Sequence, residues 1–282
     1  MNVRIAIVDD NSFLIKTVQE KLSFFEDFTL KFTANDGGDL IEKLEKNHNI
    51  DLILMDIEMP KMNGIEATEI IKNKYPQIKI IMITVFDNDD NVFNAIKAGA
   101  DGLACVCAGA GGHTGFLSPF AFVSAIREFF DGEIILGGGI CDGAGIAGAI
   151  AAGADYVYMG TRFIPAHESM APPAYKDMIL NSTMDDLIVS AGVTGTPASW
   201  LKPSLQMNGL DPENMPDAPS RHYDSSTHFA GKKWLDVWAA GQGLGTIRAR
   251  QSVNDIVNQL GHEYQTAMHR LQQLPYTSRS AK

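Results

Sequence analysis

The sequence predicts an α/β protein in which parallel strands alternate with helices in a barrel-like (βα)8 arrangement with an irregular seam. Three observations lead there. Apolar runs of strand length recur through residues 1–163, each followed by a stretch with helical spacing. Several runs, such as Leu52–Met55 and Ile80–Ile83, are apolar at nearly every position, as parallel strands covered on both faces require. The residues with chemistry to offer, acids in the first part and glycines in the second, cluster where the runs end.

In order, "VRIAIVDD" is a strand, and "NSFLIKTVQEKLSFF" is a helix behind an Asn11 cap, with Phe13, Leu14, Val18, Leu22 and Phe25 near helical spacing. "FTLKFTA" with "GGDLIEKLEKN", "DLILMD" with "GIEATEIIKNKYP", and "IKIIMIT" with "DNDDNVFNAIKAGA" repeat the unit. Then come a strand in "DGLACVCAG", a helix in "SPFAFVSAIREFF" whose first turn accepts Pro119, and a strand in "GEIILGGGI". The helix "GAGIAGAIAAGA" and the strand "DYVYMGTRF" complete seven strands, where the familiar barrel has eight. "LIVSAGVT", residues 187–194, is a candidate for the closing strand.

Further on, "AYKDMILN", "KKWLDVWAAGQG" and "SVNDIVNQLGHEYQTAMHRLQQL" read as helices. The last places Val253, Ile256, Val257, Leu260, Tyr264, Met268 and Leu271 near one face. Residues 202–231 are expected to form a long excursion, with His222 and His228 in solvent; Trp200, Trp234 and Trp238 are expected to be packing residues.

Composition narrows the function classes. A net charge of −11 argues against nucleic-acid binding. No run of eighteen apolar residues occurs, and Arg4, Asp9 and Asp10 fall where a signal peptide would need apolar residues, so a cytoplasmic protein without membrane attachment is expected. Cys105, Cys107 and Cys141 lack the spacing of a disulfide framework or zinc site and read as small buried thiols. Residues 1–101 hold ten Lys and four Gly, whereas residues 102–282 hold five Lys and twenty-two Gly, so two unlike parts are joined near residue 101.

Asp9 and Asp10 close the first strand, Asp56 the third and Thr84 the fourth. Parallel strands bring these ends to one edge, where three carboxylates repel one another unless a hard cation such as Mg²⁺ sits between them. Taken singly, such acids are also ordinary loop or cap residues. Their order over residues 1–102 closely resembles the response-regulator receiver domain. That resemblance implies Asp56 as phospho-acceptor, Asp9 and Asp10 with Asp56 as the Mg²⁺ site, and Thr84 as the hydroxyl that relays phosphorylation. The family's lysine at the end of the fifth strand is replaced at about Val106, and no Lys follows until Lys176. A functional partnership with a histidine kinase is therefore not expected.

Gly137, Gly138 and Gly139 end one strand and Gly160-Thr161 ends the next, twenty-one positions beyond Gly139. Adjacent parallel strands would aim these amides, with a helix N-terminus, at one anion, best a phosphate; close helix packing is the alternative use of such glycines. "CAGAGGHTG", "GGGICDGAGIAGAIAAGADYVYMGTRF", Glu168-Ser169 and "AAGQGLG" resemble the carboxy-terminal part of the nitronate monooxygenases, formerly 2-nitropropane dioxygenases, over about residues 99–275. The resemblance implies FMN, with its phosphate on Gly138, Gly139, Gly160 and Thr161 and with Gln242 nearby. It also implies His113 as the base that removes the proton next to a nitro group.

The earlier strands of that family, which carry flavin-ring contacts, have no counterpart here. The expectation is thus an engineered hybrid: a receiver-derived (βα)4 part, residues 1–101, and a nitronate-monooxygenase-derived part, residues 102–282, forming one barrel-like domain. It should bind FMN or phosphate, with weak or no nitronate oxidation. A phosphorylatable Mg²⁺-binding module is one alternative, and an active FMN-dependent nitronate monooxygenase or related flavin oxidoreductase is another.

Overall fold

An asparagine side chain starts the first helix: Asn11 Oδ1 accepts the amides of Phe13 and Leu14 at 3.1 and 3.2 Å, groups that a helix leaves unpaired at its N-terminus. The computed structural model describes residues 2–85, 89–217 and 236–273. These divide into two units, one of residues up to Cys107 with Gly115–Leu136, the other of Ala108–Thr114 with the described residues from Gly137 onward.

In the first unit, β1 (Val3–Val8), α1 (Ser12–Leu22), β2 (Phe28–Ala34), α2 (Gly37–Lys46) and β3 (Leu52–Asp56) follow one another. They continue with α3 (Gly64–Lys74), β4 (Lys79–Val85), α4 (Asp89–Lys97) and β5 (Gly102–Val106). After β6 (Gly112–His113), which belongs to the other unit, come α5 (Pro119–Arg127) and β7 (Glu133–Gly137). Parallel pairing gives the order β2-β1-β3-β4-β5, and β7 lies next to β5. Ile53, Met55, Ile80, Met82 and Leu103 are fully buried, as strands covered on both faces require. The register sets Val8 beside Met55 and Asp56 beside Ile83, which carries the carboxyl ends of β1 and β3 to the same edge.

The buried stripe of α1 differs from the expected one. Ile15, with Val18 and Leu22, packs on Ile5 and Ile7, whereas Phe13, Leu14 and Phe25 are exposed. The aromatic residues matched helical spacing, but the narrower 15-18-22 stripe fits the sheet. At the turn into β5, Asp101 accepts Lys72 Nζ at 2.7 Å, Lys79 Nζ at 2.9 Å and the Ile80 amide at 2.9 Å. Its carboxyl is held below its ordinary value against the opposing effect of burial.

The second unit contains α6 (Gly143–Ala152), β8 (Tyr156–Val157), a 3-10 turn at Thr161–Phe163 and α7 (Pro173–Asn181). Then come β9 (Leu187–Ser190), β10 (Ala198–Leu201), α8 (Lys202–Met207), a 3-10 turn at Gln242–Thr246 and α9 (Val253–Gln273). The strand expected over "DYVYMGTRF" shrinks to two residues, because the chain tightens into the 3-10 turn after Gly160. Residues 187–194 do not extend the parallel sheet: β9 pairs antiparallel with β10, which pairs antiparallel with β6. Of the helix expected over "KKWLDVWAAGQG", residues 232–235 lie outside the described residues and Asp236 is helical, after which the chain bridges Ala239 to Trp200 and enters the turn at Gln242.

Trp200 is wholly buried, with Val193, Leu205 and Val237 around it, and Trp238 stacks on Tyr175 at 5.0 Å. His222, His228 and Trp234 lie outside the described residues. The three cysteines are buried and form no disulfide, and burial pushes the Cys107 and Cys141 thiols up to about 12 and about 11. On α9 only Ile256 and Leu260 are buried, while Val257 and Leu271 are exposed, so the expected face narrows to the turns lying on α6. Among the described residues no helix is long and apolar enough to cross a membrane.

Candidate functional sites in the two units

The strand ends of the first unit gather the acids that the sequence placed there. Ligand oxygens of Asp9, Asp10 and Asp56 lie within 4.8 Å of one another, a spacing that a hard divalent cation can bridge. Burial, then the charge of Asp9, pushes Asp56 up to about 8. Burial also raises Asp9 to about 6, against the Asn11 amide donated to its Oδ1 at 2.7 Å. Asp10 rises as well, with Glu58 adding like charge; Glu58, two positions past Asp56, was not singled out from the sequence.

Among the described residues no cation pairs with the three acids. Lys61, the next lysine after Asp56, adopts a left-handed conformation (φ +62°) and gives its ammonium to Asp36 at 2.8 Å. Val106, at about the position where the resemblance expected a lysine, ends β5. Thr84 falls in β4, and its side chain lies outside the described residues.

In the second unit, backbone meets backbone at the glycine turns. The Gly109 carbonyl accepts both the Gly139 and the Gln242 amides at 2.9 Å. The Gly241 amide donates to the Thr161 hydroxyl at 2.9 Å. At Gly111 a Cβ would stand 2.6 Å from the Gly241 nitrogen. Residues 109–111, 138–139, 160–161 and 241–242 are thus brought together around hydrogen bonds that only close backbones can make. Gly109, Gly111 and Gly241 were missed as individual residues, although the glycine density of both stretches signals such packing.

At Gly160 the surroundings are opposite: a Cβ there would meet nothing within 4 Å. The amides of Gly138, Gly160 and Thr161 donate to no described residue, so they remain available to a ligand anion. Gly139 differs, since its amide is engaged by Gly109. The N-terminus of α6 is also engaged. Gly145 donates to Asp142 at 2.7 Å and Gly143 to Glu263 at 2.8 Å, so protein carboxylates occupy the helix terminus expected to face the anion. Open space beside amides that have no described acceptor is chemically suited to an anion such as a phosphate group.

His113 sits in β6 opposite Ala198, half-buried next to Gly112. The Gln242 side chain folds over Gly109, its Oε1 3.0 Å from where a Cβ on that glycine would stand. Glu168 has a structural use: both carboxylate oxygens accept the Val253 amide at 3.0 Å and cap α9. A separate cavity of about 450 Å³ is lined by Met178, Asn181, Asp186, Pro203, Met207 and Trp238 and includes none of the expected site residues.

Comparison with known proteins gives two overlapping family matches. The response regulator receiver domain matches residues 5–104, and nitronate monooxygenase matches residues 62–263, so the matches overlap from α3 to β5. The transcriptional regulatory protein DegU of Brevibacillus brevis is 36% identical over 100 residues, covering 36% of this chain and 42% of DegU. The chain thus spans under half of that relative.

Among solved structures, a single-residue variant of FabK from Thermotoga maritima aligns with a TM-score of 0.62 at 21% identity, covering 94% of this chain and 84% of FabK. Nitroalkane oxidase from Streptomyces ansochromogenes aligns with a TM-score of 0.63 at 19% identity, covering 96% of this chain and 82% of the oxidase. At these identities the likeness shows the fold alone.

Proposed function

We propose, since this chain belongs to the nitronate monooxygenase family, that its second unit binds FMN by the phosphate, with weak or no nitronate oxidation. The open space off Gly160, beside the amides of Gly138, Gly160 and Thr161, carries this reading. The Thr161 hydroxyl, already accepting the Gly241 amide, keeps its own proton to donate. His113 would take a substrate proton on a ring nitrogen, and Gln242 would stand beside the cofactor. Bound FMN would supply a two-electron acceptor that reacts with oxygen. Turnover is expected to be limited because the family's earlier strands, which carry the flavin-ring contacts, have no counterpart in this sequence. The partner of this site is a small molecule, not nucleic acid or a kinase.

The same reading makes the chain an engineered hybrid of a receiver-derived part, residues 1–101, and a flavoenzyme-derived part, residues 102–282. Support comes from the two family matches, which overlap over residues 62–104, where either family's strand and helix units would fit.

Titration with FMN should give a perturbed flavin spectrum and quenched fluorescence. Gly160→Ala should weaken FMN binding about tenfold, equivalent to about 1.4 kcal/mol, because its methyl enters the open space. Stability should change by less than about 0.5 kcal/mol, since that methyl meets nothing. An unchanged spectrum on titration of the parent protein refutes the reading.

The convergent acids support a second reading, a phosphorylatable Mg²⁺ module. Acetyl phosphate with Mg²⁺ should then add one phosphoryl group to the intact mass, lost in Asp56→Asn. No added mass, or addition that survives in Asp56→Asn, removes this reading.

A further inference from the structure

Arg162 follows the Thr161 turn and is 3% exposed, an unusual place for a guanidinium. Its Nη2 donates to Gln251 Oε1 at 2.7 Å and to Gln259 Oε1 at 3.3 Å. Its Nη1 is buried with no hydrogen-bond partner. An unmade bond on a buried cation is expensive and calls for an explanation.

The surrounding network suggests one. Gln251 Nε2 donates to Gln259 Oε1 at 2.8 Å, and Gln259 Nε2 donates to Glu263 Oε1 at 2.7 Å. Glu263 Oε2 then accepts the Gly143 amide at 2.8 Å, at the start of α6. Cys141, just before that helix, accepts the Arg162 backbone amide at its sulfur. One chain of hydrogen bonds therefore joins the turn carrying Gly160 and Thr161 to the segment that follows Gly138 and Gly139. Glu263 is itself engaged at α6, and burial pushes the Arg162 guanidinium down from its ordinary value while Glu263 holds it up.

We propose that Arg162 is a positioning residue that sets the spacing of the two glycine turns and makes the site prefer a phosphate-bearing flavin to its unphosphorylated form. The inference rests on the FMN reading and extends it to specificity. A cation fixed behind the Thr161 turn acts through protein, where charge is poorly screened. It favours a phosphate dianion and is indifferent to a neutral ribityl hydroxyl. Glutamine at this position keeps polarity but removes the charge; lysine keeps the charge and loses the fork.

The experiment compares FMN and riboflavin binding in the parent, Arg162→Gln, Arg162→Lys and Leu260→Ala, with hydrogen exchange of each unliganded protein. Leu260→Ala loosens α9 without touching charge. Arg162→Gln should weaken FMN about tenfold and riboflavin by less than about twofold, Arg162→Lys should fall between, and Leu260→Ala should affect the two flavins equally. Amides of residues 137–143 and 241 should exchange faster in Arg162→Gln than in a Leu260→Ala protein of matched stability.

Equal weakening of both flavins by Arg162→Gln, or none, overturns the proposal. A parent protein that binds neither flavin overturns the FMN reading instead. In that event the exchange rates decide on Arg162: faster exchange of these amides supports its positioning role, and unchanged exchange overturns it.

Discussion

Gly64→Ala should remove about 3 kcal/mol or more of stability, a loss confined to the most damaging class of point changes. A Cβ at this position would stand 2.1 Å from the Asp56 carbonyl oxygen and 2.9 Å from Met55 Cγ. The first contact is with backbone at the end of β3, which cannot swing aside as a side chain could. The start of α3 is pinned as well. Gly64 donates to the Ile57 carbonyl at 3.0 Å, and Asn63 and Glu66 close a reciprocal capping box. Relief therefore requires β3 and α3 to separate, which also displaces Asp56. Asn63→Ala is the comparison: it removes the cap and adds no clash, so about 1 kcal/mol is expected. Urea unfolding measures both, and a Gly64→Ala protein within about 0.5 kcal/mol of the parent would contradict the steric account.

Such a contact is invisible in "MNGIEA", where the glycine reads only as a turn before a helix. What the sequence made legible was local or periodic. The alternation of strands and helices, the Asn11 cap, the burial of the cysteines and the gathering of Asp9, Asp10 and Asp56 all follow from rules acting within a few residues or from parallel strand order. The antiparallel trio of β6, β10 and β9 was not legible. It pairs His113 with Ala198 through a strand of two residues, too short for alternation to register. The filling of the α6 N-terminus was equally hidden, because Glu263 comes from 120 residues away. Arg162 gave a weak signal, an arginine between a glycine turn and apolar residues, but its burial depends on Gln251 and Gln259, far along the chain.

The acid cluster leads to the other large effect, and its sign reverses with the cation. Asp56 at about 8 and Asp9 at about 6 both lie above the ordinary carboxylate value in the folded protein. Folding then favours proton uptake, so the stabilising contribution is complete below about pH 4, the unfolded value. It is lost as pH rises through the folded values towards 8. With a chelator present, stability should therefore fall from pH 5 to pH 8. Asp56→Asn should remove most of that slope and leave the variant about 2 kcal/mol more stable than the parent at pH 8, with near parity at about pH 4. Mg²⁺ needs the ionised oxygens, so its binding competes with the protons. Its stabilisation of the parent should be largest at pH 8, small at pH 5.5, and absent from Asp56→Asn at both. Thermal unfolding of the two proteins at the two pH values, with Mg²⁺ or with chelator, provides the measurement. If Asp56→Asn shows the same pH slope and the same Mg²⁺ response as the parent, the three carboxylates neither share their charge nor hold a cation.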